Sequence, residues 1–199
     1  LAKFGCRIEQ VHPFYLAVNP SKTDTKDYEI KIFEGEELEQ FRGDERFCEA
    51  FLFSDTPKDE IGVGAYRDGK LLGMAGATSD SPLMWQIGIN VMPGSQGLGI
   101  GTMLVTVLKN EILKRGKLPF YGTSISHIAS QRVALGAGFL PSWTELCCKK
   151  AECPRRTPFQ KEAFSQDEPL SLSLLWFLHL PCSTRRGLRV YLPCLFLGE

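Results

Sequence analysis

Residues Val91–Thr102 read V-M-P-G-S-Q-G-L-G-I-G-T, with glycine at 94, 97, 99 and 101. A glycine-dense turn that opens a helix is suited to holding phosphate. Glycine lets the backbone approach an anion, and the first N–H groups of a helix have no partner within it. Which phosphate compound it holds depends on the spacing. A P-loop needs Lys followed by Ser or Thr after its last glycine, but Gly101 is followed by Thr102 and Met103, and the next Lys is Lys109. A dinucleotide fingerprint needs three set glycines and an acid about 20 residues on. Counted from Gly97, the third glycine position is Thr102, and the region of Lys117 and Leu118 carries no acid. A nicotinamide-dependent oxidoreductase is therefore disfavoured.

The spacing Q/R-x-x-G-x-G/A is met by Gln96, Gly99 and Gly101, and it resembles the pyrophosphate loop of the GNAT family of N-acyltransferases. Its surroundings agree. Met84–Val91 has apolar residues at 85, 87, 89 and 91, the period of a strand, which Met92-Pro93 ends. Ile100, Met103, Leu104, Val107, Leu108 and Ile112 form a stripe at helical spacing. That helix closes on Lys114, Arg115 and Gly116, with positive charge at the negative pole of its dipole. Further on, His127-Ile-Ala-Ser130 and Gly138-Phe139 resemble the family's N-x-x-S/A…GF segment, with His127 in place of the usual Asn. The resemblance is clearest over 28–146.

The resemblance implies acetyl-coenzyme A as acyl donor and a primary amine, of a small molecule or a protein, as acceptor. It implies that the N–H groups of Gly97, Leu98, Gly99, Ile100, Gly101 and Thr102 hold the pyrophosphate while Gln96 shapes the loop. Ile89, Asn90, Val91 and Met92 would pair with the amide-rich pantetheine arm as a strand edge pairs with a peptide. An N–H near Val91 could polarise the thioester carbonyl. His127 and Ser130 could touch the coenzyme, although an exposed or structural His and a capping or packing Ser account for them equally. An ammonium acceptor must lose a proton before attack. Family members often carry a carboxylate or His in the early half of the strand before the turn, where this chain has Trp85, Gln86 and Ile87. Asp80, His127 and Glu145 are the candidate proton carriers, and a solvated surface role competes for both acids. The Tyr that often protonates the departing thiolate aligns with Ala134, and Tyr121 reads as a core residue. Acyl-coenzyme A binding without catalysis therefore stands as the alternative function. The acceptor side falls on Val11–Phe53; Tyr66 and Trp85 are also read there, with sheet packing as the competing role.

The chain has 199 residues, is 43% hydrophobic, and balances 23 Lys and Arg against 23 Asp and Glu. Zero net charge argues against a bulk nucleic-acid binder. No run of 18 apolar residues calls for a membrane span, and Leu1–Gln10 has no secretory-leader pattern. Seven cysteines without a C-x-x-C pair argue against a metal site and for reduced thiols in a cytoplasmic protein. A homodimer is compatible with the resemblance.

These elements give an α/β (α+β) fold, a mixed, mostly antiparallel sheet with flanking helices, in a domain over 1–150. Val11–Val18 reads as a short helix or irregular, Tyr28–Phe33 as the first strand, and Glu36–Phe53 as a helix interrupted by Gly43. Ile61–Arg67 and Leu71–Thr78 read as a hairpin turning at Asp68-Gly69. The glycines at 62, 64, 73 and 76 either admit close packing or leave room for a ligand. Pro119–Ser124 and Leu140–Leu146 read as strands, with a helix at Ile128–Ala137 between them. The tail, 151–199, is of uncertain structure; Leu188–Leu197 and Leu172–Leu180 are its two candidates for a last strand.

Overall fold

The computed structural model describes residues 6–150 and 188–193. Its eight strands are β1 (Cys6–Leu16), β2 (Glu29–Glu34), β3 (Lys58–Arg67), β4 (Lys70–Ser79), β5 (Met84–Val91), β6 (Leu118–Gly122), β7 (Leu140–Lys150) and β8 (Leu188–Pro193). They form one sheet in the order β2-β3-β4-β5-β6-β1-β7-β8. All neighbours are antiparallel except β5 and β6. The parallel pair is joined by helix α1 (Ile100–Lys114), and α2 (Ile128–Gly136) links β6 to β7. This is the mixed, mostly antiparallel sheet with flanking helices that the sequence predicts. The second tail candidate, Leu172–Leu180, lies outside the described residues.

Asp68 and Gly69 both adopt positive φ, 52° and 72°, as a two-residue turn between twisted strands requires. Helix α1 lies across β3, β4 and β5. Beyond its predicted stripe it also buries Val105, Thr106 and Lys109, because α2 and the chain near Ser21 cover a further side.

Two segments depart from their sequence reading. Val11–Val18 is neither helix nor loop: most of it belongs to β1, an inner strand between β6 and β7. Register shifts between Ile8 and Gln10 and between Phe14 and Tyr15 interrupt its alternation, so no clean period of two survives. Pro13 also hides it. A proline is tolerated there because pairing with β6 begins only at Phe14. The segment Glu36–Phe53 is not one helix but two 3-10 turns, Gly35–Phe41 and Glu45–Phe47, separated by Gly43 at φ 80°. Strand side chains take the N–H groups that an α-helix would satisfy internally. The Asn90 side-chain oxygen accepts from Glu49 and Ala50 at 3.0 and 2.8 Å, and the buried Asp59 carboxylate accepts from Leu52 and Phe53 at 3.1 and 2.6 Å. Leu38, Phe41, Phe47 and Phe51 still reach a second core with Met74, whereas Cys48 and Leu52 face solvent.

Lys109 is fully buried; its ammonium donates to Ser21 Oγ at 2.6 Å and to the Ala137 carbonyl at 2.7 Å, near the end of α2. Burial holds its pKa below the ordinary lysine value. Lys109→Met removes both bonds, and chemical denaturation at pH 7 is expected to show a loss of about 1–2 kcal/mol. Between the lowered pKa and about 10.4 the unfolded chain binds more protons than the folded one, so this lysine's contribution grows as pH rises through that window. The difference between wild type and variant should widen in parallel, and a gap that narrows would contradict this role for Lys109.

Candidate functional site

The site lies where the sheet opens. Strand β5 pairs with β4 along its length, from Trp85 opposite Ser79 to Val91 opposite Gly73. On its other edge it pairs with β6 only from Met84 to Ile87, ending at Ile87 beside Tyr121. Gly88–Val91 therefore has no strand partner on that edge among the described residues. Four residues of free edge span about 13 Å and lead straight into the glycine turn.

Gly97 and Gly99 both sit at φ 78°, with nothing within 4 Å of where a Cβ would be. Here glycine answers a backbone need rather than a crowded space. The first helical bond of α1 runs from the Met103 N–H to the Gly99 carbonyl at 3.0 Å. The N–H groups of Gly97, Gly99, Ile100, Gly101 and Thr102 have no acceptor among the described residues. They form a cluster of donors at a helix N-terminus, the arrangement that favours an anion. Gln96 and Leu98 are exposed, whereas Ile100 is buried and anchors the turn. A Cβ on Gly101 would meet Val91 and Val133 methyls at 3.4 Å, which is ordinary contact, so α1 packs closely against both β5 and α2.

Ile89 packs on the main core, and Met92 packs on the second one while its N–H donates to the Leu72 carbonyl at 2.9 Å. The Asn90 side chain is committed to the 49–50 backbone. Ser130 is also engaged: its hydroxyl lies 2.8 Å from that of Tyr121. Tyr121 is buried, and burial raises its pKa, with the Glu49 carboxylate adding to the rise. His127 is exposed at the N-terminus of α2, without a side-chain capping bond.

The three candidate proton carriers are not gathered in one place. Asp80 precedes β5 at the end away from the turn; its carboxylate accepts from the Thr78 hydroxyl at 2.8 Å, and burial pushes its pKa up. Glu145 is buried on β7, which β1 separates from β6. Trp85 belongs to the main core, and Tyr66 carries Lys31 over its ring at 4.7 Å; both serve sheet packing. The glycines of β3 and β4 also serve packing. A Cβ on Gly62 would meet Phe51 at 2.7 Å, and one on Gly76 would meet the Ala50 carbonyl at 2.1 Å.

Sequence reading overlooked the 49–50 segment. Gly88 is the first residue past the last β5–β6 pair, and a Cβ on it would come within 1.7 Å of the Glu49 carbonyl oxygen. Glu49 therefore rests on the mouth of the opening. The signal in the sequence is Gly88, which interrupts β5 where its pairing with β6 ends.

The family model described as the acetyltransferase (GNAT) family matches residues 25–139. A GCN5-related N-acetyltransferase-like protein from Streptococcus suis 89/1591 is 14% identical, with a TM-score of 0.53 over 71% of this chain and 61% of its own. A GCN5-related N-acetyltransferase from Kribbella flavida is 12% identical, with a TM-score of 0.52 over 70% and 58%. An acetyltransferase from Colwellia psychrerythraea is 16% identical, with a TM-score of 0.50 over 68% and 53%. At these identities the likeness concerns the fold alone, and the match spans less than two-thirds of each of those chains. No curated protein sequence matches. Among the described residues, no helix is long and apolar enough to cross a membrane, and no group of His, Cys, Asp or Glu is placed to hold a metal ion.

Proposed function

The chain belongs to the acetyltransferase (GNAT) family, and on that premise we propose that it transfers an acetyl group from acetyl-coenzyme A to a primary amine. The observation that carries this reading is the continuity of the free β5 edge with the unpaired amides of the turn. A diphosphate fits the amides of Gly97, Gly99, Ile100, Gly101 and Thr102. An extended, amide-bearing arm fits the edge of Gly88–Val91. The coenzyme supplies a thioester whose carbonyl carbon accepts a nucleophile. An arm that starts at the turn and follows the edge passes Val91 and Ile89, where a main-chain N–H would polarise the thioester carbonyl. Holding amine and thioester together accounts for much of the rate in such a reaction.

Binding without transfer is a second reading. It is favoured by β5 itself, where Trp85, Gln86 and Ile87 offer no proton acceptor, and by Ala134, which has no hydroxyl. Coenzyme A at 100 times its Kd should stabilise the chain by about 2.7 kcal/mol, raising Tm by roughly 5–10 °C, and NAD should have no effect. No rise with coenzyme A would count against both readings. Release of free thiol from acetyl-coenzyme A that depends on an added amine separates transfer from binding alone.

A further inference from the structure

We propose that Glu49 is the general base of this site and that its carboxylate selects a cationic amine as acceptor. The proposal rests on the acyltransferase reading above. Three features fix Glu49 in place. Its carbonyl packs on Gly88, where β5 and β6 part. Its N–H and that of Ala50 are held by Asn90, from the strand that would carry the coenzyme arm. The Ala50 carbonyl packs on Gly76, the β4 partner of Gly88. The Glu49 side chain is exposed, and no ion pair or hydrogen bond occupies its carboxylate. The Glu49 carboxylate also adds to the rise in the Tyr121 pKa, behind burial.

Among the described residues of β5 and β6 beside the opening, Tyr121 alone titrates. β5 offers Gln86, Gly88 and Asn90, none of which titrates. β6 offers Tyr121, already bonded to Ser130, and the neighbouring thiol is Cys48. Asp80 and Glu145 lie elsewhere on the sheet. The surrounding segment has the matching charge: residues 34–49 contain seven acids and two arginines, in a chain of zero net charge. Three of those acids, Glu34, Glu39 and Asp44, are ion-paired with Arg115, Arg42 and Arg46, and the net negative charge left on the segment favours cations.

Protons and electrons balance as follows. Glu49 takes one proton from the ammonium, directly or through a water. The freed lone pair forms the C–N bond at the acetyl carbon, and the C–S bond breaks with its electrons going to sulfur. The extra proton on nitrogen passes to that sulfur. The products are the amide, coenzyme A thiol and one proton carried off by Glu49.

The test uses the full chain with acetyl-coenzyme A and, as acceptors, spermidine, 2-phenylethylamine, a lysine-containing tripeptide and free glutamate. Wild type should acetylate at least one of the three cationic amines and leave glutamate nearly untouched. Glu49→Gln should lower kcat/KM about 100-fold or more. Below the amine's pKa, its kcat/KM should rise tenfold per pH unit, because only free amine then reacts, whereas wild type stays nearly flat. Spermidine binding to the complex with coenzyme A, measured by calorimetry, should weaken about fivefold, and coenzyme A affinity should not change. Glu49→Gln with near-wild-type rate and pH profile overturns the proposal, as does a wild type that binds acetyl-coenzyme A yet acetylates none of the cationic amines. Failure to bind acetyl-coenzyme A at all overturns the acyltransferase reading instead.

Discussion

Gly99→Asp is expected to abolish coenzyme A binding, while Gly99→Asn largely preserves it. Position 99 is at φ 78° with open space where a Cβ would sit. Asn and Asp are the L-residues that best tolerate this backbone, at a cost of about 1 kcal/mol, so both variants should fold with similar Tm. They differ by one charge. A carboxylate beside a diphosphate, at about 4 Å and an effective dielectric near 20, is opposed by about 4 kcal/mol per unit charge. That corresponds to a loss of affinity of roughly a thousandfold. Calorimetric titration of both variants isolates the charge from the backbone strain. Equal losses in both would show that the turn does not face phosphate.

Gly88→Ala should have the second-largest effect, and it reaches the acceptor side. The added methyl would fall 1.7 Å from the Glu49 carbonyl oxygen and 2.8 Å from its carbon. These are backbone atoms that cannot rotate aside, so the 49–50 segment must move and its two bonds to Asn90 must lengthen or break. Overpacking of this kind costs about 1–3 kcal/mol, readable as a lower Tm. Acetyl transfer should fall by about 100-fold, because Glu49 leaves the mouth of the opening. Coenzyme A affinity should fall far less than transfer does, since the turn and its amides lie beyond the change. Asn90→Ala makes a milder version, leaving the Glu49 and Ala50 N–H groups in place without their acceptor. Full activity in Gly88→Ala would mean that the 49–50 segment plays no part in catalysis.

The glycine turn was legible in the chain, and the proposed acceptor side was not. The turn could be read because its signals are local: glycines at fixed spacing, a period of two before them and a period near 3.6 after them. The hairpin at Asp68-Gly69 was legible for the same reason. β1 was not, because Pro13 and two register shifts disturb its alternation, and its status as an inner strand depends on β6 and β7, more than a hundred residues away. The segment 35–53 carries an apolar pattern close enough to helical to mislead. Its backbone is set instead by Asn90 and Asp59, which reach it from strands that no local window includes. The free edge of β5 is likewise a property of the sheet, fixed by where β6 stops pairing. The proposed acceptor side is thus built from long-range contacts, and residue spacing alone could not place Glu49 on Gly88.

If the bend's unpaired amides hold the diphosphate of coenzyme A, their resonances must respond to it. Backbone amide NMR of the labelled chain, titrated with coenzyme A, tests it directly. The largest shifts should fall at Gly97, Gly99, Ile100, Gly101 and Thr102, a smaller set along Gly88–Val91, and neither in Gly99→Asp. Saturating coenzyme A that leaves those five amides unmoved would contradict that binding.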